Sequence, residues 1–185
     1  MFGVYGLRRS PELTVYDVRM LADVIADVVN VFGRVNGGFV VTGPVWEYFS
    51  GTERMFKPQL RTSPFQERDE QRLRAGVMAA NLDGLIREAA LDRANGLTGK
   101  SVIHPSHVNT VNALSVVTHE EYQDATDILG TCGTGGVTAS SYRNKMNESR
   151  PHIAWAHRTL LRARPFGVAR PGIAFVDLLG ASIRP

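Results

Sequence analysis

Gly96-Leu97-Thr98-Gly99-Lys100-Ser101-Val102-Ile103-His104-Pro105-Ser106-His107-Val108 is the stretch whose reading decides the fold. A glycine-bearing turn feeds Ser101-Val102-Ile103, a short apolar run that reads as a buried strand. His104-Pro105-Ser106 ends it. Pro105 restricts the backbone there and leaves Ser106 to cap a helix expected over about 106–114. The same arrangement stands upstream. Asn36-Gly37-Gly38 precedes Phe39-Val40-Val41, a second apolar run that Thr42-Gly43-Pro44 terminates.

Helical patterns surround both runs. Val18, Leu21, Ile25, Val28 and Phe32 recur at three- and four-residue steps, which predicts a helix after Ser10-Pro11 that Gly33 stops. Residues 45–50 suit a helical turn, and the stretch to Pro64 reads as irregular. From Phe65 to Ala94 runs the longest helical pattern, weakened at Gly76 and Gly84 and ended by Asn95-Gly96. Thr118 and Glu121 have the spacing of a capping box, so a helix is expected over about 119–129. Gly130 to Gly136 is a glycine-rich loop, matching neither the P-loop nor the dinucleotide-binding pattern. A last amphipathic helix is expected from Pro151 to Ala163, with Ile153, Trp155, Leu160 and Leu161 as its apolar content; the state of Ile173–Leu179 stays open.

This alternation is α/β. Only two core strands, 39–41 and 101–103, stand out, and two parallel strands close no barrel. Either further strands escape the pattern or an N-terminal portion is missing.

Composition bounds the rest. The chain has 185 residues, 43% hydrophobic and 21% charged, with a formal net charge of +3. That suits one globular domain. Its 21 Lys and Arg are scattered rather than gathered on one stripe, which argues against nucleic acid and leaves a weak field suited to an anionic small molecule. Cys132 is the single cysteine, so no intrachain disulfide forms and a reducing, cytoplasmic setting is expected. No apolar run approaches the roughly 20 residues of a membrane span.

Function in parallel α/β folds gathers where strands end. His104 stands at such an end and can act as acid, base or ligand, or simply bond a backbone group. His104 and His107 lack a third ligand nearby for zinc. Glu47 is a candidate base or a solvated carboxylate. Lys57, Arg61 and Lys100 can clamp an anion or face solvent, Arg being best suited to bidentate contact.

The 96–108 stretch, followed by Val111-Asn112 and by Val117-Thr118-His119-Glu120-Glu121-Tyr122 with Ala125, resembles the closing segment of the citrate lyase β-subunit and HpcH/HpaI aldolase superfamily. His107 stands where that superfamily usually has Gln, and Val117 where it has Pro. Tyr5-Gly6-Leu7-Arg8-Arg9, Val40 to Phe49, Phe56 to Arg61, and Asn144 to Glu148 with Pro151-His152 and Trp155-Ala156 are similar to its bacterial branch of C–C bond lyases of the TIM-barrel fold. The resemblance implies that 1–168 is the C-terminal portion of a β/α (TIM) barrel, with 169–185 a tail. It implies Mg2+ held by a Glu and an Asp that have no counterpart here. The positions that carry over as substrate-binding are Arg8, Arg9, Pro44, Trp46, Glu47, Lys57, Arg61, Lys100, His104, Pro105 and Ser106.

The function implied is a lyase module making or breaking a C–C bond in an anionic oxo-acid or acyl-thioester, weakly active or inactive alone. The rival is a non-catalytic binding or regulatory remnant, or half of a split enzyme. An exposed barrel edge would favour a homo-oligomer or pairing with a missing N-terminal half.

Overall fold

A computed structural model describes residues 1–34, 39–49, 82–131 and 136–183. The expectations for 50–81, including the basic Lys57 and Arg61, and for Cys132 lie outside those residues. Two compact units are present, Met1–Leu114 with Leu178–Pro185, and Ser115–Asp177.

In the first unit the chain opens with a 3-10 turn, Phe2–Tyr5, closed by Gly6 at φ 67°. The helix expected after Pro11 starts later. Thr14 and Asp17 first form a capping box over a 3-10 turn at Val15–Asp17, and helix α1 then runs Arg19–Phe32. Gly33 ends α1, its amide donating to Val29 O at 2.8 Å. Leu21 and Ile25 bury the face the periodicity marks, joining Phe2, Val15 and Leu97 in one cluster. Val29, rather than Val28, continues that packing, and Phe32 stays 45% exposed. The apolar stripe is therefore shorter than the pattern suggests.

Helix α2 spans Asp83–Ala94 and stops at Asn95, as the Asn95-Gly96 signal requires. The two expected strands lie side by side but form no regular strand. The Thr98 amide donates to Val41 O (2.8 Å), Gly43 to Gly99 O (3.2 Å) and Ser101 to Gly43 O (2.9 Å). Gly43 and Lys100 thus make a single parallel bridge. The pairing direction is the expected one, whereas the burial is not: Phe39, Val40 and Ile103 are each about two-thirds exposed, at 66%, 73% and 66%. Residues 44–49 run without regular structure, so the helical turn expected at 45–50 is absent from its described part. After His104 a 3-10 turn, Pro105–His107, leads into α3, Val108–Ser115. The cap is the His104 ring, which accepts from the Ser106 amide; Ser106 does not cap with its own hydroxyl.

In the second unit α4, His119–Gly130, carries the expected capping box. The Glu121 amide donates to Thr118 Oγ1 and the Thr118 amide to Glu121 Oε2, each at 3.1 Å. Strands β1, Val137–Ala139, and β2, Met146–Glu148, pair antiparallel. Helix α5, Ser149–Phe166, follows directly; the last helix, α6, Phe175–Ile183, begins in this unit and has its residues from Leu178 onward in the first. Ala125 and Ile128 of α4 pack on Ala156 of α5, with Leu160 alongside. Trp155 and Leu161 stand partly outside that seam, 39% and 58% exposed. Val117 pairs with Val168, its amide donating to Gly167 O at 3.1 Å. A proline at 117 could not make that bond.

The dense polar run Asn144–Glu148 ties the hairpin to α4. Lys145 Nζ reaches Glu120 and Asp124, each at 2.6 Å. Asn144 and Asn147 donate to the same two carboxylates. Burial pushes the Lys145 pKa down, but Asp124 and Glu120 hold it above the ordinary lysine value. Among the described residues no helix is long and apolar enough to cross a membrane.

Candidate functional site

Glu88 and Asp92 stand one helical turn apart on α2, so both point to the same side, the side that also buries Leu85. Lys100 lies opposite them on the extended pass after Gly99, and its ammonium bridges the pair. Nζ is 2.8 Å from Glu88 Oε1 and 2.6 Å from Asp92 Oδ2. Arg9 Nη1 donates to the other Glu88 oxygen at 2.9 Å, and the Val15 amide to the same oxygen at 2.8 Å. The Tyr16 hydroxyl donates to Asp92 Oδ1 at 2.7 Å.

Two carboxylates and two cations are therefore buried as a balanced set. Pairing of this kind is what keeps charge tolerable away from water. Burial nevertheless wins at Asp92, whose pKa is raised although Lys100 pulls it down. Burial, and then the Asp92 carboxylate, push the Tyr16 phenol well above its ordinary value.

The main chain at 43 passes hard against this set. A Cβ on Gly43 would sit 2.2 Å from Asp92 Oδ2, so only glycine fits. Three residues on, Trp46 is buried, and its ring fills the space that a Cβ on Gly84 would need. The Arg9 guanidinium lies between the rings of Phe2 and Trp46, 4.9 and 4.8 Å from their centroids. Such a stack holds a desolvated cation in place.

A cavity of about 640 Å³ opens beside Arg9. Its described lining is Phe2, Gly3, Gly6, Leu7, Arg8, Arg9, Glu47 and Tyr48. Arg8 is exposed on this wall, whereas the Arg9 side chain is 1% exposed. Glu47 Oε2 is 3.6 Å from Arg9 Nε. The Tyr48 hydroxyl donates to the Arg9 carbonyl, and the Tyr48 carbonyl accepts from His107 Nε2 at 2.8 Å. Tyr48 thus joins the cavity wall to the strand corner.

The corner itself is a stacked group. His104 lies flat on Phe49, with ring centroids 4.2 Å apart, and its Nδ1 is 2.7 Å from Ser106 Oγ. His107 is buried beneath, its pKa lowered by desolvation against the pull of the Tyr48 carbonyl.

A sequence profile of the C–C bond lyases of the TIM-barrel fold matches residues 1–168. The chain belongs to this family. No curated protein and no solved structure matches it. Membership brings a lyase-type function and the TIM-barrel fold family to the molecule.

Among the described residues, those expected to bind substrate in this C–C bond lyase chain separate into three groups. Arg8, Arg9 and Glu47 meet at the cavity, with Trp46 behind Arg9. Lys100 is sealed inside the ion network, and Pro44 is half-buried next to Gly43. His104, Pro105 and Ser106 form the corner, outside the described lining of the cavity. Glu88, Asp92 and Tyr16 went unread in the sequence. The signal for two of them was there, since Glu88 and Asp92 fall on the stripe that Leu85 begins, where a solvated carboxylate has no place.

The Mg2+ implied by resemblance finds no fitting donors among the described residues. No group of three His, Cys, Asp or Glu is arranged to hold a metal there. Glu88 and Asp92 already carry ammonium, guanidinium or phenol hydrogens on their oxygens.

Proposed function

We propose that this chain is a lyase module that seats the anionic end of an oxo-acid or acyl-thioester in the cavity beside Arg8 and Arg9. One observation carries the reading: two consecutive arginines line one cavity, Arg8 exposed and Arg9 buried and held by Glu88. Guanidinium is the side chain best shaped to grip a carboxylate. In C–C bond cleavage of such a substrate, negative charge develops on the fragment that keeps the bonding electrons. Donors fixed beforehand stabilise that charge best, and a buried, stacked Arg9 is fixed beforehand. The parallel pairing of 41–43 with 98–101 supports taking these two passes as neighbouring strands of a partial barrel.

A second reading has its own support. The buried carboxylates are saturated by cations, which favours a module that binds without turning over, as a remnant or half of a split enzyme would.

Calorimetric titration of malonate, a dicarboxylate without a reactive carbonyl, tests the shared claim. The chain should bind it, and Arg8→Met should weaken binding at least tenfold. Equal binding by Arg8→Met would remove the cavity from consideration. Titration with Mg2+ alone should give no heat of binding, and a metal-dependent release of product from oxaloacetate would overturn the non-catalytic reading.

A further inference from the structure

Arg9 and Glu47 face each other at the cavity, and they are unequal partners. The guanidinium is fixed on three sides, by Phe2, by Trp46 and by Glu88 on Nη1. Its Nε is buried and makes no hydrogen bond. Glu47 Oε2 lies beside it at 3.6 Å, beyond hydrogen-bonding reach. Glu47 itself is 47% exposed, and no described residue holds its carboxylate by a hydrogen bond.

The charge balance makes the contrast sharper. Arg9 and Lys100 are already matched by Glu88 and Asp92. Glu47 is therefore not needed to neutralise the buried set. It is a half-exposed anion parked beside a fixed, unsatisfied donor, and the other exposed charge in the described lining of the cavity is the cation Arg8.

We propose that Glu47 is a displaceable counter-ion that covers Arg9 Nε until a carboxylate ligand takes its place. The inference rests on the cavity being the ligand site. A ligand carboxylate first meets Arg8, repels Glu47 outward by like charge, and accepts the Nε hydrogen bond that Glu47 does not make. No bond is made or broken. The swap favours ligands with two anionic groups, one for Arg8 and one for Arg9 Nε, over single carboxylates. Glu47 then sets specificity, because every ligand must compete with a tethered carboxylate.

The test uses the full chain, malonate and acetate as probes, calorimetry for affinity, and the 15N–1H resonance of Arg9 Nε as a local reporter. Glu47→Gln keeps the shape and removes the charge, and should bind malonate about five- to tenfold tighter. Glu47→Asp keeps the charge and should bind no tighter than the parent. In both the parent chain and Glu47→Gln, malonate should move the Arg9 Nε resonance to the shift of a hydrogen-bonded guanidinium, and acetate should bind far more weakly. Unchanged or weaker malonate binding by Glu47→Gln would overturn the displacement, while Arg8-dependent binding by the parent would leave the cavity reading intact. Tighter binding with an unmoved Arg9 resonance would also overturn it, showing only general repulsion. Failure of parent and variant alike to bind malonate would sink the cavity reading and the displacement together.

Discussion

Lys100 shows how much one residue can carry without touching a ligand. Its ammonium is the only cation that reaches both Glu88 and Asp92 among the described residues. Lys100→Met should therefore leave two carboxylates buried against each other, and cost about 3–5 kcal/mol in urea unfolding. His107 behaves differently, because its buried ring must stay neutral. Desolvation lowers its native pKa below the ordinary 6.5. The unfolded chain takes up a proton near pH 6.5 that the native state refuses. Its contribution is thus complete above that pH, and drains away as pH falls through 6.5 towards the lowered native value. His107→Gln can still donate to the Tyr48 carbonyl from its amide. It should keep the fold and lose that part of the acid dependence, measured by comparing unfolding midpoints at pH 7.5 and 5.5.

At the scale of elements, helix ends follow local rules and interiors do not. Thr118→Ala removes the acceptor of the Glu121 amide at the start of α4. It should cost about 1 kcal/mol, with Thr118→Ser largely neutral, as read by thermal unfolding. Gly84→Ala on α2 ought by propensity alone to stabilise the helix by about 1 kcal/mol. The Trp46 ring occupies the position the new Cβ needs, 2.2 Å away, so the expected result is destabilisation by about 1–3 kcal/mol. A stabilised Gly84→Ala protein would show that Trp46 can move aside. The helix ends at Gly33, Asn95 and Thr118 were legible in the sequence because each bond closes within five residues. Runs 39–41 and 101–103 were legible as extended chain but not as exposed, since apolar runs do not say what covers them. Hairpin β1–β2 escaped notice because its strands are three residues each, too short for a pattern to stand out.

For the molecule as a whole, the candidate site belongs entirely to the first compact unit. All described residues lining the cavity lie between Phe2 and Tyr48. Hydrogen exchange with and without saturating malonate should therefore slow amides near residues 2–9 and 47–48 and leave those of 119–166 unchanged. Protection spread evenly over both units would contradict a ligand held by Arg8 and Arg9. The second unit has its own polar clamp, Lys145 on Glu120 and Asp124, which accounts for its density of polar side chains without a ligand. Lys145→Met should lower stability through the buried Asp124 without altering malonate affinity.

The sequence by itself determined the family, the capped helix ends, the parallel sense of the two strand passes, and the choice of Arg8, Arg9 and Glu47 as candidates. These rest on motif order, on short-range hydrogen bonds and on residue chemistry, all of which are written along the chain. Only the tertiary structure decided that Lys100 is spent on Glu88 and Asp92, and that Arg9 offers one unsatisfied nitrogen beside Glu47. The reason is physical. A buried charge is defined by the partner that reaches it, and Arg9 and Glu88 are 79 positions apart in the chain.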